Sequence, residues 1–157
     1  MLFMLDTTAL NMIIKDKIDA SHFKKEHKYF ITPVQYSEML QTTDKSTKKI
    51  LVKGLEVMQL KASLSSVHIH SAPWGCFPWG YGPWGGGDGK YYDKCMSKLL
   101  QYSKGSRGNN CDALIIEACG MNGMTLVTAD TGAQKVCADL GIDCMDTQTF
   151  LRWVMAN

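Results

Sequence analysis

The sequence predicts an α/β fold built on a mostly parallel sheet. Three observations carry that prediction. Short apolar runs, at 2–5 and 124–128 among others, alternate with amphipathic stretches of helical period. Two of those runs end in an aspartate, Asp6 directly and Asp130 after Ala129. The length, 157 residues, suits one domain spanning 1–157 and suffices to bury a core without disulfide staples.

Each element follows from local chemistry. Residues 2–5 are apolar and stop abruptly at Asp6-Thr7-Thr8, a strand followed by a helix cap. Residues 9–18 place Leu10, Ile13, Ile14 and Ile18 on one helical face. A charged connector at 24–28 leads into a short strand at 29–31. Thr32-Pro33 opens the next helix, with Pro where its missing N–H costs nothing, and Tyr36, Met39 and Leu40 facing inward. Residues 43–49 are polar and read as a turn, 50–60 as an amphipathic helix, and 67–70 as a strand. A helix is expected at 91–102, and another at 111–119 capped by Asn109 or Asn110 and ended by glycines at 120 and 123. Strand 124–128, helix 131–140 closed by Gly141, strand 142–145 and a last helix from Thr147 to Val154 complete the alternation.

Charge and cysteine content narrow the function classes. The formal net charge of +2 does not announce a nucleic-acid binder, but acids gathered in one cluster would leave the remaining surface more basic than the total. The six cysteines form no C-x-x-C pair, and the first residues reach a carboxylate too early for a secretory leader. Reduced thiols and a cytoplasmic protein are therefore expected, and no apolar run is long enough to cross a bilayer.

The chemistry rests on carboxylates. In parallel sheets, sites form outside the carboxyl ends of the strands. Asp6 and Asp130 follow strands, while Asp112 and Glu38 sit early in helices that start at the same edge. Four converging acids repel one another unless a cation neutralises them, and an oxygen-only ligand set suits Mg²⁺ or Mn²⁺. Such an ion supports phosphodiester hydrolysis. Taken singly, Asp6 and Asp130 read as helix caps, and Asp112 and Glu38 as solvated first-turn acids.

Taken together, the four segments resemble the PIN-domain ribonucleases. Met4-Leu5-Asp6-Thr7-Thr8-Ala9-Leu10 resembles the family's opening strand and acid. Thr32-Pro33-Val34-Gln35-Tyr36-Ser37-Glu38-Met39-Leu40 resembles its second motif. Asn110-Cys111-Asp112-Ala113-Leu114-Ile115-Ile116-Glu117-Ala118 is similar to the third, and Leu126-Val127-Thr128-Ala129-Asp130 to the fourth. The resemblance implies a three-layer Rossmann-like fold and a Mg²⁺- or Mn²⁺-dependent endoribonuclease acting on RNA. It implies Asp6, Glu38, Asp112 and Asp130 as the acidic quartet and Thr128 as a supporting hydroxyl. It further implies a toxin of a toxin–antitoxin pair, with an antitoxin protein as partner and a homodimer as assembly. Two alternatives stay open: a PIN-like RNA- or protein-binding module without activity, and a Mg²⁺-dependent α/β phosphatase, which would need a nucleophilic Asp beside a catalytic Lys.

The chain departs from compact family members at 71–89, a Gly/Trp/Pro-rich insertion holding three of the four Pro and three of the four Trp residues. Trp74, Trp79 and Trp84 are placed to stack on unpaired bases, and Lys90, Lys94 and Lys98 to meet phosphates. The alternative is that the rings cover an apolar surface. Residues 84–91 fail as a phosphate-binding loop, because Trp84 stands where the first Gly is required and Tyr91 where Ser or Thr is. His68 and His70 with Cys76 or Cys95 fit no common zinc spacing and read as surface histidines. Cys111 and Cys119 read as core, and Glu117 as a solvated or salt-bridged acid.

Overall fold

A computed structural model describes residues 1–67, 69–71, 89–102 and 108–156. Trp74, Trp79, Trp84, His68, Cys76 and nearly all of the 71–89 insertion lie outside the described residues. The element order is β1 (Leu2–Leu5), α1 (Thr7–Lys15), β2 (Lys28–Ile31), α2 (Pro33–Leu40), α3 (Lys45–Lys61), β3 (Ser65–Ser66), α4 (Lys90–Tyr102), α5 (Asn109–Asn122), β4 (Thr125–Thr128), α6 (Thr131–Leu140), β5 (Cys144–Asp146) and α7 (Thr147–Ala156).

The five strands form one sheet in the order β3-β2-β1-β4-β5, and every pairing is parallel. Alternate side chains of β1 point to opposite faces. Phe3 and Leu5 join a cluster with Leu10, Ile13, Leu51, Leu55, Phe150 and Val154, from α1, α3 and α7. Met4 joins the opposite cluster with Leu99, Leu114, Ile116 and Val136, from α4, α5 and α6. Helices on both faces explain why the central strands are apolar throughout rather than alternating. The fold is therefore the three-layer α/β arrangement expected, with the strand order reversing at β1.

Several boundaries differ from the sequence reading. Helix α3 starts at Lys45, because Asp44 caps it by accepting the Thr47 N–H at 2.7 Å, so most of the expected turn at 43–49 is helix. The strand expected at 67–70 is a two-residue pairing at Ser65–Ser66, continued by Val67 N–H donating to Ile31 at 2.8 Å. In α2 the buried positions are Val34, Gln35, Ser37 and Met39, while Tyr36 is exposed. The helix ends at Leu40, which places Glu38 in its last turn rather than early. Neither Asn109 nor Asn110 caps α5; the N-cap is Gly108, without a side-chain bond.

Candidate metal centre

The site is built where the strand order reverses, at the carboxyl ends of β1 and β4. These strands are in register, Leu5 opposite Val127, and the Asp6 N–H donates to the Val127 carbonyl at 3.0 Å. Asp6 and Asp130 thus leave adjacent strands at one edge, and both cap helices. Asp6 accepts the Thr7 N–H at 2.6 Å, and Asp130 accepts the Ala133 N–H at 2.7 Å. The capping reading and the site reading hold together: the cap fixes each carboxylate at the edge.

Two hydroxyls tie the strand ends. The Thr128 hydroxyl donates to Asp6 Oδ2 at 2.8 Å and accepts from the Asp130 N–H at 3.0 Å. Thr128 is fully buried, so these bonds work without competition from water. The Thr8 hydroxyl also donates to Asp6 Oδ2, at 2.8 Å. Asp6 itself is buried and is held by donors on three sides.

Helix α2 brings the second motif. Its capping box is Thr32 with Gln35, and the buried Gln35 amide goes on to donate to the Leu5 carbonyl at 3.1 Å. That bond fixes α2 on the last residue before Asp6. The Thr32-x-x-Gln35 spacing was the available signal for this anchor, and the sequence reading passed over it. Glu38, half-buried, accepts hydrogen bonds from the Thr7 hydroxyl and from the Cys111 thiol. Burial raises its pKa, the Thr7 hydroxyl lowers it, Asp6 raises it further and Cys111 offsets part of this. Cys111 is therefore a site residue and not only core.

Helix α5 supplies Asp112 from its first turn. Burial, then the charges of Asp6, Asp130 and Glu38, push its pKa from 3.8 to about 7. All four acids line one cleft of about 550 Å³, with Thr7, Thr8 and residues 41–43 around them. The convergence expected from the sequence is present to the extent that the four acids line one cleft, near enough for the other three to act on Asp112.

Burial and the three acids around it both disfavour the charged form of Asp112, and a divalent cation would relieve the repulsion among them. The oxygen-only donor set fits a hard dication. Among the described residues, no three His, Cys, Asp or Glu side chains already stand at metal-ligating spacing. Asp6, Asp130 and Glu38 are instead engaged by the local donors named above, which an ion would share or displace.

Other expectations resolve differently. Glu117 is not solvated: it is buried and accepts from the Ser71 N–H at 3.1 Å and the Ser71 hydroxyl at 2.7 Å. Lys90 is exposed at the start of α4 and does not line the cleft. Lys98 is ion-paired with Asp139 at 3.0 Å.

No protein-family profile matches the chain, and no curated protein matches it. Solved structures do. PAE2754 from Pyrobaculum aerophilum matches at TM-score 0.55 and 14% identity, covering 99% of this chain and 96% of that one. VapBC-1 from nontypeable Haemophilus influenzae matches at TM-score 0.55 and 14% identity, covering 94% and 99%. FitAcB from Neisseria gonorrhoeae matches at TM-score 0.51 and 13% identity, covering 93% and 98%. The fold is PIN-like. In this PIN-like chain the four motif acids share one cleft, although identity this low establishes the architecture alone. No helix among the described residues is long and apolar enough to cross a membrane.

Proposed function

We propose that this protein is a Mg²⁺- or Mn²⁺-dependent endoribonuclease. The observation that carries the reading is the position of Asp112. A carboxylate raised to about 7 by burial first and by three neighbouring acids second is a poor structural device and a good cation site. Asp6, Asp112 and Asp130 would hold the ion, with Glu38 completing the quartet. The ion, when bound, supplies charge for the phosphoryl oxygen and lowers the pKa of a water. The chain's own contribution is placement. Thr128 and Thr8 fix Asp6, the α6 cap fixes Asp130, and Thr7 with Cys111 aims Glu38 across the cleft.

The phosphatase alternative needs a lysine beside the aspartate, and no lysine is among the described residues lining the cleft. The toxin role, with an antitoxin partner and a homodimer, extends this reading, and the likeness to VapBC-1 and FitAcB supports it. The cytoplasmic placement expected from the reduced cysteines belongs to the same proposal.

The deciding experiment is cleavage of single-stranded RNA with Mn²⁺ or Mg²⁺. Wild type is expected to cut internally, chelation to stop it, and Asp112→Asn to reduce kcat by at least roughly 100-fold, as for loss of transition-state charge stabilisation. Metal-independent cleavage, or full activity in Asp112→Asn, would sink the reading.

A further inference from the structure

We infer that the exposed face of α3 is a binding track for the phosphate backbone of single-stranded RNA, leading strand to the cleft. The inference rests on the nuclease reading and adds a binding site to it. Residues 41–43 line the cleft and run directly into Asp44, the cap of α3, so the helix begins at the cleft's rim. From there α3 carries Lys45, Lys48, Lys49 and Lys53. Its buried residues Leu51, Leu55 and Met58 face the core, which turns Lys45, Lys49 and Lys53 to solvent.

Lys45, Lys49 and Lys53 recur every four residues. One helical turn separates successive members, a rise of about 6 Å, within the reach of one extended nucleotide. Lys48 sits beside the row and is half-exposed. Among the described residues none of the four has an ion-pair partner. Lys98, by contrast, is committed to Asp139. Asp44, the acid before the row, spends its carboxylate on the Thr47 N–H and the Ser46 hydroxyl, and Glu56, the acid within α3, lies exposed beyond Lys53.

The charge distribution is consistent with such a feature. Four of the 15 acids face one cleft, which repels a polyanion until a cation is bound. A row of free ammonium groups at the rim offsets that repulsion and recruits phosphates without reading bases. The expected specificity is for single strands, since a flexible backbone can follow the helix and then turn into the cleft.

The test uses the full chain carrying Asp112→Asn, so that RNA is bound and not cut. A short fluorescein-labelled RNA of mixed sequence is titrated by anisotropy at several salt concentrations with fixed Mg²⁺. Replacing Lys45, Lys49 and Lys53 together by Gln should weaken binding at low salt roughly tenfold or more. It should also flatten the slope of log K against log salt by about 2, one phosphate contact per lysine at about 0.7 each. Replacing the same three by Arg should restore both. In the active background the Gln variant should raise KM and leave kcat close to wild type. An unchanged Kd and slope, with RNA still bound and cut, overturns the track and leaves the nuclease standing; that is also the result if the row serves an acidic protein partner instead. If the parent neither binds nor cuts RNA, the nuclease reading fails and the track fails with it.

Discussion

Asp112 makes the pH dependence of this protein predictable in sign. Its pKa is raised on folding, so the folded chain binds a proton that the unfolded chain has lost. The stability linked to this proton is full below about pH 4 and is lost as pH rises through about 7. In metal-free buffer, Asp112→Asn should therefore melt higher than wild type at pH 8, and the gap should shrink toward pH 5. The effect is a few kcal/mol at most, because one unit is about 1.4 kcal/mol. Melting curves at both pH values, with and without Mg²⁺, check this; a pH-independent gap would refute the raised pKa of Asp112. Cys111 gives a second residue-scale prediction. Cys111→Ala removes a donor to Glu38, whereas Cys111→Ser keeps one. The Ala variant should lose roughly 3–10-fold in kcat, the value of about one hydrogen bond, and the Ser variant should recover most of it. Equal loss in both would assign Cys111 to packing. Three of the four acids were readable because each follows a strand or opens a helix. The Cys111 contact was not, since nothing local distinguishes a thiol beside Asp112 from a core cysteine.

At the scale of elements, packing decides the cost of change. Gly54 lies in α3 where it crosses α1. A Cβ there would meet Ile14 Cγ2 at 2.5 Å and Ile14 Cβ at 3.1 Å. In an isolated helix Gly→Ala would stabilise by about 1 kcal/mol. Here the contact reaches the root of the Ile14 side chain, so α1 must shift, and Gly54→Ala should instead destabilise by roughly 1–3 kcal/mol. Thermal unfolding of that variant decides the sign. Thr128→Val should cost a similar amount, since it leaves the buried Asp6 carboxylate short of a donor, and it should also weaken cleavage. The elements with chemical punctuation at both ends were legible. Helix α6 was placed at 131–140 because Asp130 and Gly141 bracket it, and the structure gives those bounds. The start of α3 was missed because its first turn is all polar and lysine-rich, so no apolar period marks it. β3 was misplaced because a two-residue strand is defined by its neighbour β2 and not by its own residues.

For the whole molecule, the sheet order explains why acids far apart in the sequence line one cleft. Alternation of strand and helix dictates parallel pairing, and parallel pairing puts every strand's carboxyl end on one edge. What pattern could not supply is which strand sits next to which. That adjacency comes from tertiary packing, and it is what puts Asp130 beside Asp6. A cation held as proposed would link these distant parts, so Mg²⁺ or Mn²⁺ should raise the melting temperature as well as permit cleavage. Calorimetry in chelator and in excess metal measures it, and Asp6→Asn should abolish the shift.

The hydrogen bond between Thr128 and Asp6 joins residues 122 positions apart in sequence. No hairpin shortens that distance, because all five strands are parallel. On a ribosome adding roughly 5–20 residues per second, the aspartate at the amino end waits on the order of ten seconds for its partner strand to emerge. During that interval the cluster of acids is incomplete. Under the proposed reading, cleavage cannot begin until residue 130 has been made and β4 has paired with β1.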